Sequence, residues 1–352
     1  MVRRTKWSEL APSEEERALR LHRDSIVIDA CNTAEFDDDY VNRLVLSGVT
    51  CCVKTLSHQH GPREALIDVA EWVERIESYP DLLLPVNNVD SIQLAKDSGK
   101  VGIMYAFQST RAIEDDLRLL IPFREMGVVV MQLTYNTRNY MGDGCLEPDD
   151  AGLSELGAAA VAKMNGLGIV VDLSHVGRRT SIEAIEASAQ PVIFSHSNCR
   201  SLVANARNIP DELIRALGKN GGVVGIDVYL PHLTEDFDSA PSIDDVIDHV
   251  DHVVRLVGAD HVGFGLDLGE GRNEAQYSSF KFPAGVYPTF EQREKNKCRG
   301  IETIEQFVNL TKGLVARGYS DSDVRNILGG NFLRVFGAAW KSRQQVSPQR
   351  SA

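Results

Sequence analysis

Short apolar runs of strand length alternate along the chain with longer segments that carry one apolar stripe at helical spacing. Strands that alternate with helices pair in parallel, and eight of them favour a closed (β/α)8 barrel over an open doubly wound sheet. The predicted fold class is therefore α/β, a single TIM barrel with extra N- and C-terminal helices. The eight strand-like runs fall at residues 26–30, 49–55, 101–107, 128–133, 168–175, 191–196, 222–226 and 261–265.

Helix signals fill the gaps between these runs. Ser13 is followed by three glutamates, which is the capping and charge pattern of a helix start, and this first helix is expected to lie outside the core. The predicted helices cover residues 13–23, 63–78, 114–126, 153–167, 178–188, 211–219, 242–257, 301–318 and 320–338.

The chain divides into three parts on this pattern. Residues 1–24 are predicted to form an N-terminal helical extension, residues 25–338 the barrel, and residues 339–352 a polar tail. Within the barrel, segment 271–299 is longer than an ordinary connection and rich in aromatic and charged residues. Long insertions of this kind often cover binding sites, so we expect it to form a lid over the barrel mouth.

Composition restricts the class of partner. The formal net charge of −13 argues against a nucleic acid. No apolar run approaches the roughly 18 to 20 residues that span a bilayer, and residues 1–16 lack the apolar core of a signal peptide. The six cysteines are scattered without the spacing of a metal knuckle, which is typical of reduced thiols. We therefore expect a cytoplasmic protein that does not bind a membrane.

Two of the predicted strands end in the same dipeptide. The run at 168–175 reads GIVVDLSH and the run at 191–196 reads PVIFSH, so His175 and His196 both follow a serine at a strand end. In a barrel the residues just beyond the C-terminal ends of the strands face the active site. Neutral imidazole is a preferred zinc ligand, so this pair is the first candidate for a metal site.

Other polar residues are predicted to reach the same end of the barrel. Asp267 follows the last strand and could be a metal ligand or a general base. Cys31 could be a ligand, a reactive thiol or core packing, and packing is favoured. The pair His58 and His60 is interpreted as part of an exposed polar loop. The remaining strand-end candidates are Thr33, Gln108, Tyr135, Asn136, Asp227 and Tyr229.

Several motifs in this order resemble the membrane (renal) dipeptidase family, metallopeptidases of the amidohydrolase superfamily. They lie at 164–175, 194–197, 207–211 (RNIPD), 261–267 (HVGFGLD) and 328–336 (LGGNFLRVF). The resemblance extends from about residue 26 to 338. It implies a (β/α)8 barrel, often dimeric, that holds two zinc ions and hydrolyses dipeptides.

The metal motif of that family is only partly present. Residues 29–33 read DACNT where the family has an Asp-Gly-His-Asn-Asp-like run, so the His and the second Asp that bind the first zinc are missing. The bridging Glu of the family falls at Gln108, and its substrate-polarising His falls at Tyr135. A neutral amide brings no charge to offset the repulsion between two dications. We therefore expect at most one zinc ion, held by His175 and His196, with Asp267, Gln108 or Cys31 as a candidate third partner.

The resulting prediction is a metallohydrolase that acts on a small carboxylate-bearing amide, dipeptide or amino-acid derivative. Asp267 is the expected general base, and Tyr135 is expected to donate a hydrogen bond to the developing oxyanion. Arg207, Tyr135 and Asn136 are expected to bind the substrate, because guanidinium pairs well with carboxylate. The resemblance favours a homodimer. The alternatives are a lyase acting on a small acid, a non-catalytic binding barrel, and an enzyme with Cys31 as its nucleophile.

Overall fold

The fold was obtained as a computed structural model, which describes residues 5–279 and 287–346. Within these residues nine strands form one parallel sheet, in the order β2-β1-β9-β8-β7-β6-β5-β4-β3, with β2 also paired to β4. That extra pairing closes eight strands into a ring and leaves β3 outside it. The predicted (β/α)8 barrel is confirmed. The strands are β1 (Ile28–Asn32), β2 (Cys51–Ser57), β3 (Leu83–Pro85), β4 (Val101–Phe107), β5 (Val128–Gln132), β6 (Val170–Asp172), β7 (Ile193–Phe194), β8 (Val223–Ile226) and β9 (Val262–Phe264).

Strand β3 has no counterpart among the predicted runs. It pairs along the first half of β4, with Leu83 opposite Val101 and Pro85 opposite Ile103. Three residues are too few to show a periodic pattern, and a proline is tolerated only at an edge or end of a sheet. The sequence signal for this strand is therefore weak.

The helices are mostly those that the sequence predicts. Additional short helices occupy the loops after β1, β3, β8 and β9. The described helices are α1 (Pro12–Asp24), α2 (Asp38–Leu46), α3 (Pro62–Glu77), α4 (Val89–Ser98), α5 (Leu120–Glu125), α6 (Glu155–Leu167), α7 (Arg178–Ala187), α8 (Asp211–Asn220), α9 (Leu230–Leu233), α10 (Ile243–Val257), α11 (Glu274–Ser279), α12 (Phe290–Lys295), α13 (Val308–Ala316), α14 (Asp321–Arg325) and α15 (Asn331–Val346).

Two helix predictions need correction. The single helix predicted at 114–126 is replaced by short 3-10 turns and by α5, because Glu114 adopts a positive φ of 47° that interrupts helical geometry. At the C-terminus, α15 continues to Val346, with Ala339 and Trp340 buried in the core. Residues 339–346 therefore belong to the last helix and not to a polar tail.

The half of the barrel nearer the N-terminal ends of the strands is filled with apolar side chains. Inward-facing residues of the strands, among them Val53, Met104 and Val130, pack against Phe332 and Phe336 of α15. This helix closes the N-terminal end of the barrel. A second apolar layer lies between the strands and the surrounding helices. The polar residues that end the strands consequently face the opposite, C-terminal mouth.

Candidate metal and substrate site

A cavity lies at the C-terminal mouth, and most of its wall consists of residues that end the barrel strands. Segment 271–299 also contributes to this wall, although residues 280–286 of the predicted lid lie outside the described residues. Its described part supplies Arg272, Tyr277, Tyr287 and Arg293 to the wall, and its role as a lid stays a prediction. The cavity is lined by Thr33, Thr55, His58, Gln108, Tyr135, His175, Arg207, Tyr229, His232, Asp267, Gly269, Arg272, Tyr277, Tyr287 and Arg293.

The two strand-end histidines are in direct contact. His175 follows β6 and His196 follows β7, and their Nε2 atoms are 3.0 Å apart. His175 has a positive φ of 65°, a conformation that residues other than glycine seldom adopt and that often marks a functional position. Both rings are buried. The predicted convergence of these two imidazoles is present in the structure.

The other nitrogen of each ring is already engaged. Nδ1 of His175 is 2.7 Å from Oδ1 of Asn136, and Nδ1 of His196 is 2.7 Å from Oγ of Ser195. The Ser195 hydroxyl donates to the Asp172 carboxylate at 2.5 Å, which leaves a lone pair of that oxygen to accept from His196. Each imidazole therefore carries its proton on Nδ1 and presents a bare lone pair on Nε2.

Two lone pairs that face each other at 3.0 Å repel unless a cation lies between them. A shared proton is disfavoured, because burial, and then the charge of Arg207, lower the pKa of both histidines well below the usual range. Zinc–nitrogen bonds of about 2.0–2.1 Å at tetrahedral angles hold two ligand nitrogens roughly 3.3 Å apart. The pair is therefore fitted to hold one metal ion after a small outward movement.

The part of the barrel mouth near the end of β1, where Cys31 and Gln108 lie, has no comparable set of metal-binding side chains among the described residues. Gln108 donates through Nε2 to Thr55 Oγ1 at 3.0 Å and to Cys31 Sγ at 3.4 Å. Throughout residues 5–279 and 287–346, no three His, Cys, Asp or Glu side chains gather as ligands of one ion. Neither Cys31 nor Asp267 thus completes the histidine pair here. Burial also raises the pKa of the Cys31 thiol well above its usual range, which argues against a nucleophilic thiolate.

Two buried aspartates fix the ends of the strands. Asp172 accepts from the backbone N–H groups of Ser174 and Ser195 as well as from the Ser195 hydroxyl. Asp29 accepts from the N–H of Leu266 at 2.8 Å and so joins β1 to the segment after β9. Burial raises the pKa of Asp29 to about 7. Sequence reasoning assigned no role to either residue, since both lie inside apolar runs.

Arg207 is buried beside the histidine pair. Its guanidinium donates to the His196 carbonyl at 2.9 Å and to Ser197 Oγ at 3.2 Å, while Nε has no hydrogen-bond partner among the described residues. An unpaired buried charge is costly, and a carboxylate would compensate it. Arg207 also lines the cavity, and its role as a carboxylate clamp stays a prediction.

Tyr135 and Asn136 follow β5 and flank His175. The Tyr135 ring stacks on the His175 ring with centroids 4.1 Å apart, and burial raises the pKa of its phenol, which therefore stays protonated. Asn136 has a φ of 62°, and its side-chain oxygen accepts from His175. This oxygen therefore orients His175, and a substrate contact of Asn136 stays a prediction.

The loop after β2 is only partly exposed. His60 lies on the surface and contacts Asp68 at 2.7 Å, as an exposed loop predicts. His58 instead lines the cavity with its ring 5.4 Å from that of Tyr135, so the exposed interpretation is wrong for His58. Burial lowers the pKa of His58 to about 4. The loop is polar on average, and this average gives no sign that His58 turns toward the cavity.

Sequence reasoning missed a second histidine of the cavity wall. His232 lies on α9, and its Nδ1 is 2.9 Å from Oδ2 of Asp227, which directly follows β8. After β9, the strand next to β8, Asp267 accepts from Thr33 Oγ1 at 3.2 Å and has a positive φ of 49°. The only signal for His232 is its position five residues after a strand-end aspartate, because a four-residue helix shows no periodicity.

Comparisons with known proteins identify the family of the chain. The family described as "Membrane dipeptidase (Peptidase family M19)" matches residues 15–277 and 292–350. Dipeptidase aclJ of Aspergillus oryzae is 32% identical over 74% of this chain and 58% of its own length. Dipeptidase tcpJ of Claviceps purpurea is 29% identical over 75% of this chain and 57% of its own length. The chain thus spans somewhat over half the length of these relatives.

Solved structures show the same barrel. An amidohydrolase from Pseudomonas aeruginosa has a TM-score of 0.86 and 35% identity, covering 92% of this chain and 99% of that chain. A metallo peptidase from Rhodobacter sphaeroides, liganded with a phosphinate mimic of the dipeptide L-Ala-D-Ala, has a TM-score of 0.75 and 19% identity. It covers 90% of this chain and 100% of that chain, and at this identity the likeness shows the fold alone.

The fold is a (β/α)8 barrel, and the sequence is similar to proteins that are named dipeptidase or amidohydrolase. More specifically, the chain belongs to the membrane dipeptidase family, peptidase family M19. Despite the name of that family, none of the helices in residues 5–279 and 287–346 combines the length and apolarity needed for a membrane span.

Proposed function

We propose that this protein hydrolyses a small amide that carries a free carboxylate, such as a dipeptide or an N-acyl amino acid, with one zinc ion held by His175 and His196. The observation that carries the proposal is the pair of Nε2 atoms 3.0 Å apart, each without a proton. When bound, zinc supplies Lewis acidity and brings the pKa of a coordinated water toward about 7.

Substrate binding falls to Arg207. Its buried guanidinium, with Nε unpaired among the described residues, is fitted to the carboxylate of the substrate. Tyr135 lies against His175 with its phenol protonated, so it can donate a hydrogen bond to the oxygen that gains charge during the reaction. Together they orient the amide carbonyl beside the histidine pair.

Asp267 is the proposed general base. Burial, and then the nearby charge of Asp227, raise the pKa of this carboxyl group above its usual value. A more basic carboxylate is a better proton acceptor, and Asp267 lines the same cavity as Arg207 and Tyr135. Its role is to remove the proton of the attacking water.

The names of the relatives support this substrate class. Two relatives are called dipeptidases, and one structure of the same fold holds a phosphinate mimic of a dipeptide. We further propose a cytoplasmic homodimer. The six cysteines are all free thiols, as in a reducing compartment, and the family resemblance favours the dimer.

Metal analysis combined with turnover tests the proposal. The wild-type protein, purified without chelators, should bind zinc and hydrolyse L-Ala-D-Ala or an N-acetyl amino acid. His196→Ala should lose metal and turnover together, whereas His252→Ala, on the outer helix α10, should keep both. Zinc binding without hydrolysis of either substrate would refute the proposed activity.

A second candidate is a metal-free barrel that binds a small carboxylate. It is favoured by the lack of a third His, Cys, Asp or Glu ligand in the part of the chain that the structure describes. Such a binder would keep its ligand affinity after metal is removed. An enzyme would lose turnover on chelation and regain it with added zinc.

A further inference from the structure

A buried aspartate–histidine pair lies at the cavity wall just after β8, the strand that pairs with β7. His232 is 2% exposed and Asp227 is fully buried, and the two side chains meet at 2.9 Å between Nδ1 and Oδ2. The other oxygen of Asp227 accepts from the N–H of Tyr229 and from Asn198. The carboxylate is therefore fixed, and it orients the imidazole with its Nδ1 proton toward Asp227.

The second nitrogen of this ring has no hydrogen-bond partner. Nε2 of His232 is buried, and none of residues 5–279 or 287–346 offers it a donor or acceptor within range. The residue lines the same cavity as Arg207 and Asp267. Buried polar atoms are nearly always paired, so an unpaired nitrogen beside a ligand cavity points to a partner on the ligand.

A purely structural role does not account for this geometry. His22 of the same chain is buried to a similar degree, and both of its nitrogens are satisfied, by Thr311 and by the Ser47 carbonyl, at 2.8 Å each. The backbone of His232 is also anchored without the ring, since its carbonyl accepts from Asn208 at 3.0 Å. The fold therefore needs only one of the two ring nitrogens.

We propose that His232, oriented by Asp227, is the general acid that protonates the leaving nitrogen during amide hydrolysis. The inference rests on the proposed function and adds a second proton-transfer residue to it. Asp227 stabilises the positively charged imidazolium, as a buried carboxylate does for a catalytic histidine. His232 can then donate from Nε2 into the cavity.

The proton transfers balance over one turnover. Asp267 takes one proton from the attacking water, and the oxygen forms a bond to the carbonyl carbon. Protonated His232 gives its Nε2 proton to the amine as the carbon–nitrogen bond breaks. The proton on Asp267 then returns to His232 directly or through solvent, and no other reactant is needed.

The dependence of kcat on the leaving group of the substrate tests this role of His232. Asparagine at position 232 retains an N–H for Asp227 and deletes Nε2. An L-alanyl ester of 4-hydroxybenzoate releases a stable phenolate, whereas L-Ala-D-Ala must release an amine that needs a proton. With zinc-loaded protein, His232→Asn should lower kcat for the dipeptide by about 100-fold or more and kcat for the ester by less than about 5-fold, with little change in KM.

Two further variants keep the test decisive. Asp227→Asn should show the same selective loss for the dipeptide, which provides an answer if His232→Asn does not fold. His252→Asn on α10 should leave both substrates unaffected. Equal loss of both substrates in the position-232 and position-227 variants, or no loss, would overturn the inference alone. Failure of the wild-type protein to hydrolyse any amide would overturn the proposed function, and this role with it.

Discussion

The Nε2 atoms of His175 and His196 lie 3.0 Å apart, and neither has a proton to give the other. The partners that cause this, Asn136 and Ser195, hold the Nδ1 protons on the far sides of the two rings. Because burial lowers the pKa of both rings, the pair is fitted to a metal ion rather than to a shared proton. In the proposed function, this oriented pair at neighbouring strand ends supplies two ligands of the metal ion.

Removing the amide of Asn136 should weaken metal binding without removing a ligand. Glycine tolerates the positive φ of this position, so Asn136→Gly isolates the loss of the hydrogen bond to His175. We expect zinc affinity to fall about 10- to 100-fold, as is usual when the partner of a ligating histidine is removed. Competition with a chromogenic chelator measures the change. Unaltered affinity would show that His175 needs no orienting partner.

The substitution Tyr135→Phe should separate the contribution of the hydroxyl group from that of the aromatic ring. Phenylalanine keeps the stacking contact with His175, so metal content should stay at the wild-type value. The loss of one oxyanion donor should lower kcat by roughly 10²- to 10³-fold. Steady-state kinetics on a dipeptide with zinc-loaded protein provides the comparison. A variant as fast as the wild type would remove Tyr135 from the reaction.

Arg207→Lys should affect only substrates that carry a carboxylate. Lysine keeps the charge but not the planar fork that binds a carboxylate through two hydrogen bonds. We expect KM for a dipeptide acid to rise about 10-fold or more, while KM for the matching dipeptide amide stays within about 2-fold. Equal changes for acid and amide would indicate a structural effect, through the lost bonds of Arg207 to Ser197 and the His196 carbonyl.

Because the pKa of the buried Asp29 is raised, the free energy of unfolding should fall as the pH rises. The pKa of Asp29 is about 7 in the folded protein against 3.8 for an ordinary aspartate, so the folded state holds a proton that the unfolded state releases between these values. The stabilisation is complete below about pH 4 and lost as the pH rises to about 7, an effect on the order of 4 kcal/mol. Denaturation of Asp29→Asn should show a flatter dependence than the wild type over that window. Parallel curves would mean that Asp29 stays ionised.

The barrel could be predicted from the sequence because buried parallel strands are continuous apolar runs. His175 and His196 could be predicted for the same reason, since the end of such a run places its polar residue at the barrel mouth. His232 and β3 could not, because a four-residue helix and a three-residue edge strand are too short to show a period. The role of Asn136 depends on a positive φ and on a partner 39 residues away, neither of which leaves a local pattern.

The number and the position of the bound zinc ions test the one-metal site most directly. The protein would be crystallised after zinc loading and removal of excess metal, and anomalous diffraction would be recorded at the zinc edge. We expect one peak per chain, within bonding distance of Nε2 of both His175 and His196. A second ion on the side of Cys31 and Gln108, or no ion between the two histidines in an active preparation, would contradict it.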